Sequence, residues 1–164
     1  MNVVVAPFAA HPALVPCVIG WFEAEWPAWY GPGGPGRAAD DVAALATPGQ
    51  LPVGVIAFVD GVPNGVAALK AESIASHRHL TPWAAAGFVT PPMRGRGIGA
   101  RLLAAVEGVA RSRGAVAVHC ATATAARLLE RSGWSMIEQV VHDGEPLGVY
   151  RKSLALVDPI VSFR

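Results

Sequence analysis

The residues best suited to chemistry lie in one glycine-rich stretch, residues 89–103. It places three glycines at alternate positions beside two arginines, namely Gly95, Gly97 and Gly99 with Arg94 and Arg96. Glycine lets a backbone turn tightly and come close to a ligand. A helix predicted to start at residue 98 would point its free N–H groups and the positive end of its dipole at this turn. The stretch therefore predicts an anion site suited to phosphate.

The glycine stretch needs a strand before it and a helix after it. Residues 83–89 are apolar throughout, as expected of a central strand covered on both faces. Pro91 and Pro92 end that strand because proline cannot donate to a sheet ladder. Residues 98–113 then place apolar side chains at the three-to-four spacing of an amphipathic helix. Glu107 and Arg111 lie one turn apart and can pair on the exposed side of this helix.

The remaining chain supplies further strands and helices in alternation. Period, turn residues and breakers predict strands at residues 3–5, 53–59, 66–72, 115–120, 134–142 and 146–152, and helices at residues 12–25, 40–46 and 123–132. Turns at residues 60–65 and 143–145 predict two hairpins, and the glycine- and proline-rich residues 26–36 predict a loop. The order β-α-α-β-β-β-α-β-α-β-β predicts one mixed α/β domain over residues 1–164, built around a largely antiparallel sheet.

Composition bounds the class of protein. The 164 residues include 52% hydrophobic residues, enough to bury about 70% of the unfolded surface in one domain. A net charge of +1 argues against a nucleic-acid partner, which needs clustered basic surface. The start of the chain lacks a basic signal-peptide region, and no run reaches the 18 residues of a membrane span. We therefore expect a cytoplasmic protein without a membrane partner.

The two cysteines and the glycine pattern exclude several kinds of site. The spacing of Cys17 and Cys120 predicts reduced core thiols, with neither a metal site nor a disulfide. Gly95-x-Gly97-x-x-Ala100 fits a relaxed dinucleotide fingerprint, but residues 119–122 lack the acidic residue that would hold a ribose. No Gly-Lys-Ser/Thr follows, which excludes a P-loop.

A second template fits better, because Arg94-x-x-Gly97-x-Gly99 directly follows a predicted strand. This motif resembles the acyl-CoA signature of the GNAT superfamily of N-acetyltransferases, in its small bacterial members. Residues 81–83, 128–134 and 144–149 also resemble family segments in matching order, and the likeness is specific from about residue 53 onward. The resemblance implies the GNAT fold, an α/β sheet with helices on both faces. Acyl-CoA would lie between two splayed parallel strands, residues 83–89 and 115–120.

The resemblance also implies a set of cofactor-binding residues. Backbone amides of the glycine stretch would hold the CoA pyrophosphate, and the end of the strand before it would pair with the pantetheine arm. The implied residues are Phe88, Val89, Arg94, Gly95, Arg96, Gly97, Ile98, Gly99, Ala100, Thr122 and Arg127. An N–H at the same strand end could stabilise the oxyanion of a tetrahedral intermediate.

The catalytic residues follow the family pattern less closely. Leu129 stands where many members have a tyrosine acid, and Thr122 stands where members often have asparagine. A CoA thiol, with a pKa of roughly 8 to 9, can leave without that acid. Tyr150, Ser132 and Cys120 are the fallback acids.

The base that deprotonates an ammonium substrate also stays open. Glu72, at the end of a predicted strand, is the leading candidate, although a strand-end carboxylate can equally be a solvated group. His79 and His77 lie in the next loop and are second candidates. His119 is either a cleft residue or a core histidine. Glu25 and the tryptophans of residues 21–29 could contact a cationic acceptor.

These residues predict an N-acetyltransferase that transfers an acetyl group from acetyl-CoA to a primary amine in a ternary complex, without a metal. The acceptor would be a small molecule or a peptide amine, and the resemblance makes a homodimer plausible. The alternative function is an acyl-CoA-binding module that has lost catalysis, as Leu129 suggests. A nucleotide-dependent oxidoreductase is a distant third.

Overall fold

The computed structural model describes residues 1–154, and its centre is a seven-stranded sheet. The strands are β1 Val3–Pro7, β2 Val53–Val59, β3 Val62–Lys70, β4 Trp83–Val89, β5 Ala117–Thr122, β6 Ser135–His142 and β7 Glu145–Ser153. Their order is β1-β2-β3-β4-β5-β7-β6. Neighbours pair antiparallel except β4 and β5, which pair parallel. The predicted domain boundary at residue 164 lies outside the described residues.

Five helices accompany the sheet in this part of the chain. They are α1 Val15–Glu25, α2 Pro27–Tyr30, α3 Ala38–Leu45, α4 Ile98–Ser112 and α5 Ala126–Arg131. Helix α4 is amphipathic and buries Ile98, Leu102, Val106 and Ala110 at three-to-four spacing. It also provides the crossover that a parallel β4–β5 pair requires.

The helices cover both faces of the sheet. Alternating side chains divide β2 between the two faces, so Val55 joins the core under α4 whereas Ile56 joins the core under α1 and α3. Phe22 of α1 and Val42 of α3 are central to the second core. The predicted fold class, a mixed and largely antiparallel sheet with helices on both faces and one parallel pair, is therefore confirmed.

The first hairpin has a tighter turn than predicted. Val59 pairs with Val62, so Asp60 and Gly61 alone form the turn, with φ of 48° and 81°. These left-handed angles suit the two-residue turns that match strand twist. Strand β3 consequently starts four residues early and ends at Lys70, leaving Glu72 beyond the strand.

Three further predictions need correction. Residues 26–36 were predicted as a loop but contain the short helix α2. Cys17 is exposed on α1, so it is not a core thiol, whereas Cys120 in β5 is partly buried. Glu107 and Arg111 do approach within 3.8 Å, but Glu107 is not on the exposed side of the helix, because its side chain is only 5% exposed.

Candidate functional site

The parallel strands β4 and β5 separate almost as soon as they meet. Within the described residues their register holds one pair, Trp83 with His119, and the His119 N–H donates to the Pro82 carbonyl at 3.0 Å. Beyond this point the strands diverge, so their facing backbone groups border open space. The sheet thereby contains a wedge between two edges that can pair with a ligand.

A β-bulge in β4 accompanies this divergence. Val66 pairs with Phe88 and Ala68 pairs with Ala85, which leaves two residues of β4 opposite one of β3. Ala86, inside the bulge, has a φ of 54°, a left-handed conformation that costs a non-glycine residue about 1–2 kcal/mol. Bulges bend a strand and redirect its peptide groups, which turns this part of β4 out of line with β5.

The wedge opens into a cleft of about 580 Å³, which we term the inner cleft. Its walls are the second half of β4, the end of β5, and apolar side chains of α4 and α5. Its lining residues are Ala84–Val89 with Cys120–Ala125, Gly99, Leu102, Leu103, Val106, Leu128, Leu129, Trp26, Ala67, Ser73, Glu145 and Leu147. The inner cleft is therefore mostly apolar.

A second volume of about 730 Å³, the outer cavity, adjoins the inner cleft. The two volumes adjoin along a shared wall, and we term them together the channel. The shared lining residues are Gly87–Val89, Gly99, Thr124, Ala125 and Leu128. The outer cavity lies between the glycine turn and α5. Its other lining residues include Glu25, Met93, Arg94, Gly95, Gly97, Ile98, Ala100, Arg127, Arg131 and Ser132.

The glycine turn presents backbone donors to the outer cavity. Gly95 and Gly97 have φ of 76° and 83°, where a side chain would be strained. Gly97 is the N-cap of the 15-residue helix α4 and supplies no side-chain cap. The first N–H groups of α4 are thus available to an anion, with the helix dipole in support. The Ile98 side chain is buried, so only its backbone can take part.

The signature arginine Arg94 is largely occupied by protein partners. Its Nε donates to the Val89 carbonyl at 2.8 Å, and its NH2 group donates to Glu25 Oε2 at 2.9 Å. Its guanidinium also lies 5.5 Å from the centre of the Phe88 ring. Arg94 therefore links the glycine turn to the end of α1 as well as lining the outer cavity.

Two other arginines face the glycine turn from the opposite wall. Arg127 was predicted from the sequence, and Arg131 follows one helical turn later on α5, so both line the outer cavity. Sequence reasoning missed Arg131, although its i+4 spacing from Arg127 was a usable signal. Arg96 is exposed in the turn, outside the lining of the outer cavity.

The three predicted catalytic residues are not brought together. Glu72 is 63% exposed and lies 3.7 Å from Arg78. His79 is exposed, and its ring stacks on that of His77 at 5.6 Å. Tyr150 is buried in β7 opposite Cys120. All three lie outside the lining of the inner cleft.

Two of the histidines considered as candidates, His77 and His119, are buried among other side chains of the fold. His77 is buried, and its Nε2 lies 2.6 Å from Glu138 Oε2 on β6. The His119 ring packs 5.5 Å from that of Trp83, and its Nδ1 lies 3.2 Å from the Pro82 carbonyl. Burial lowers the pKa of His119, which favours the neutral ring. His119 is thus a core histidine where β4 and β5 meet.

Three residues at the end of β5 and in α5 shape the inner cleft. Thr122 Oγ1 accepts hydrogen bonds from the N–H groups of Thr124 and Ala125, at 3.1 and 2.9 Å, and so caps the turn into α5. Leu129 is buried and gives the cleft an apolar wall. Burial raises the pKa of Cys120 to about 12, so this thiol stays protonated at neutral pH.

A splayed parallel pair, a glycine turn and a free helix N-terminus, joined by one channel, define the class of acyl-CoA-dependent acyltransferases. The chain belongs to the acetyltransferase (GNAT) family, whose model matches residues 18–134. The predicted family and enzyme class are therefore confirmed. None of the curated proteins compared with the chain gives a significant match. No helix within residues 1–154 combines the length and apolar character needed to cross a membrane.

Solved structures of similar fold agree with this membership. A GCN5-related N-acetyltransferase from Kribbella flavida is 23% identical, with a TM-score of 0.72, covering 93% of this chain and 98% of that one. The yncA protein from Salmonella typhimurium, solved with acetyl-CoA, is 20% identical, with a TM-score of 0.72 and coverages of 95% and 96%. An aminoglycoside 6'-N-acetyltransferase complexed with coenzyme A is 15% identical, with a TM-score of 0.76 and coverages of 93% and 98%. These likenesses show a shared fold.

Proposed function

We propose that this protein is an N-acetyltransferase that transfers an acetyl group from acetyl-CoA to a primary amine. The observation that carries the proposal is the channel, whose outer cavity is lined by the glycine turn and arginines and whose inner cleft is mostly apolar. This order matches the order of pyrophosphate, pantetheine and thioester in the cofactor. The solved structures with CoA or acetyl-CoA on the same fold support the choice of cofactor.

The outer cavity would hold the pyrophosphate. Backbone N–H groups from Gly95 to Ala100 would donate to its oxygens, and the N-terminus of α4 favours negative charge. Arg127 and Arg131 would add charge from the opposite wall, with Arg96 and the remaining donors of Arg94 nearby. This arrangement makes backbone geometry, rather than one arginine, the main determinant of binding.

The inner cleft would hold the pantetheine arm and the thioester. The amides of that arm can pair with strand-edge groups of Phe88 and Val89, which lie on the open side of β4. The apolar side chains of α4 and Leu128 would contact its methylene and methyl groups. A backbone N–H in the β4 bulge would then stabilise the developing oxyanion.

The reaction would proceed by direct transfer. The neutral amine nitrogen attacks the thioester carbon, forming a C–N bond and an oxyanion. The oxyanion collapses, the C–S bond breaks with its electron pair on sulfur, and the surplus amine proton passes to water. Coenzyme A leaves as a thiolate. Because the pKa of its thiol is roughly 8 to 9, this leaving group needs no protein acid. The apolar Leu129 in the wall of the cleft is consistent with that.

Cys120 lines the inner cleft and is the natural candidate for a covalent alternative. A pKa of about 12 opposes formation of its thiolate, so an acetyl-cysteine intermediate is disfavoured. We therefore expect Cys120→Ser to change kcat/KM by less than about threefold, and acetyl-CoA alone to leave the intact mass unchanged. An acetylated protein that loses its label in the Cys120→Ser variant would overturn direct transfer.

The proton acceptor, Glu72 or His79, and the fallback acid, Tyr150, remain predictions. Glu72, His79 and Tyr150 lie outside the lining of the inner cleft, so each would have to act through water. Of these, Glu72 and His79 are exposed and can exchange protons with solvent, whereas Tyr150 is buried. Unchanged kcat/KM in a Glu72→Gln variant would remove that assignment.

Two measurements test the proposed function. Isothermal titration should show binding of acetyl-CoA, and an amine panel should show release of coenzyme A with acetylated product. A folded sample that fails to bind acetyl-CoA would overturn the cofactor assignment. Binding without turnover on any amine would instead favour the alternative, an acyl-CoA-binding module, for which the apolar Leu129 is the specific observation.

A further inference from the structure

One carboxylate residue in the lining of the inner cleft, Glu145, has no role in the proposed reaction. Glu145 is the first residue of β7, directly after the exposed Asp143-Gly144 turn. It lines the inner cleft together with Leu147, two residues along the same strand. Trp26 and Ser73 line the cleft from other segments of the chain. Glu145 is also exposed, so its carboxylate is accessible to an acceptor that approaches the inner cleft.

Glu145 is the charged member of an otherwise neutral cleft. Of the inner-cleft residues that the structure describes, the others are apolar, hydroxyl-bearing or thiol side chains. Nearby carboxylates are already engaged, since Glu25 bonds Arg94 at 2.9 Å and Glu138 contacts His77 at 2.6 Å. Within residues 1–154, no basic side chain lies within 4.0 Å of the Glu145 carboxylate.

We propose that Glu145 binds a positive charge that the acceptor keeps throughout the reaction. The inference rests on the proposed function and narrows its substrate class to amines with a second cationic group. The reacting nitrogen must be neutral to attack, so a fixed carboxylate at the rim serves a separate ammonium better. Glu145 is exposed, so the pair would form at the solvent-facing rim of the cleft, where the Trp26 ring can add a cation–π contact.

A matched pair of amines and a matched pair of variants test this assignment. The amines are 1,5-diaminopentane and n-pentylamine, which share chain length and reacting group but differ by one ammonium. The variants are Glu145→Gln and Asp143→Asn, which each remove one negative charge from the same hairpin. Asp143 is exposed and has a φ of 50°, which asparagine adopts readily, so the control should fold.

The wild type should show a higher kcat/KM for the diamine than for the monoamine. Glu145→Gln should reduce that ratio about tenfold, because a charge-assisted contact is lost, while KM for acetyl-CoA stays unchanged. Asp143→Asn should keep the wild-type ratio. An unchanged ratio in Glu145→Gln, or no preference for the diamine in the wild type, would overturn the proposal and leave acetyl transfer intact.

Failure of the proposed function gives a different result. If the wild type releases no coenzyme A with any amine, acetyl transfer is excluded. Titration of both amines into the CoA-saturated protein then decides the role of Glu145 by itself. Tighter binding of the diamine that Glu145→Gln removes would support the assignment, and equal binding of the two amines would overturn it.

Discussion

Gly97 illustrates how much of the site depends on a single backbone angle. Its φ of 83° lets α4 begin with its N–H groups open to the outer cavity. We expect Gly97→Ala to destabilise the fold by about 1–2 kcal/mol, since alanine is strained in this region. The affinity for acetyl-CoA should fall by at least about tenfold, because the donors of the turn would be displaced.

The matched control is Gly108→Ala in the middle of α4. A side chain there meets no atom within 4 Å, and alanine favours a helix by about 0.8–1.0 kcal/mol over glycine. This variant should therefore be more stable than the wild type and bind acetyl-CoA equally well. Denaturant unfolding and calorimetric titration measure both effects. Equal affinity in the two variants would contradict the assigned role of Gly97.

His119 provides a prediction about pH. Burial lowers its pKa in the folded state below the ordinary 6.5, so at lower pH the unfolded chain takes up a proton that the folded chain resists. The neutral His119 therefore contributes fully to the free energy of unfolding above pH 6.5, and this contribution is lost as the pH falls below that value. The loss has a slope of at most about 1.4 kcal/mol per pH unit.

A His119→Gln variant should lack this part of the pH dependence. Free energies of unfolding measured from pH 7.5 to 5 should decline less steeply than those of the wild type, whatever the stability at pH 7.5. Parallel curves for wild type and His119→Gln would show that His119 is not the responsible group.

At the scale of elements, a buried ion pair joins α4 to β7. Glu107 Oε1 lies 2.5 Å from Lys152 Nζ, which also donates to the Ser132 carbonyl at the end of α5, at 2.7 Å. The Trp134 Nε1 group lies 3.4 Å from Glu107 Oε2. The pair therefore positions the end of α5, the same helix that carries Arg127 and Arg131.

Replacing one partner of this ion pair should lower the free energy of unfolding more than replacing both partners. Lys152→Met leaves the buried Glu107 carboxylate with only the more distant Arg111, at 3.8 Å, as a cationic partner and should lower the free energy of unfolding by about 3 kcal/mol. The double variant Glu107→Leu, Lys152→Met should recover a substantial part of that loss. Arg111→Met, which removes the more exposed partner, should change stability by less than about 0.5 kcal/mol. Additive losses in a double-mutant cycle would contradict this coupling.

Local pattern could predict most of the elements but not their irregularities. The period of residues 98–113 and the Asp-Gly pair of the first hairpin act over a few residues, so α4 and the hairpin follow from sequence. The left-handed Ala86 and the burial of Glu107 depend on partners distant in the chain. Alanine carries no local signal for a bulge, and Lys152 lies 45 residues beyond Glu107.

The same reasoning explains which half of the site was predictable. Phosphate-binding groups come from one contiguous stretch, so their spacing carries the information. The proposed acceptor site combines Trp26, Ser73 and Glu145, which only the fold brings to one cleft. Glu72 was predicted at a strand end, but β3 ends two residues earlier, at Lys70, and Glu72 lies outside that cleft.

At the scale of the whole molecule, the unpaired edges of β4 and β5 give a measurable signature of cofactor binding. Coenzyme A should slow hydrogen exchange in the glycine turn and also along Phe88 and Val89, because its arm would take the place of a strand. It should also stabilise the protein by about 2.7 kcal/mol at 100 times its Kd.

Adenosine diphosphate is the matched control ligand for this experiment. It carries a pyrophosphate without a pantetheine arm, so it should protect the glycine turn but not the open edges of β4 and β5. Mass spectrometry of exchanged peptides can resolve the two regions. Equal protection of the strand edges by both ligands would contradict the placement of the arm in the inner cleft.

Because β4 and β5 share a single register pair, helix α4 largely determines the distance between these two strands. A long ladder would fix where two strands stand relative to each other, but one pair supplies little resistance to a slip. Helix α4, with 15 residues and a length of about 22 Å, instead connects the end of β4 to the start of β5 and so fixes how far apart they lie. Evolution could therefore tune the width of the channel through the length and tilt of one helix, without changing any residue that touches the reacting atoms.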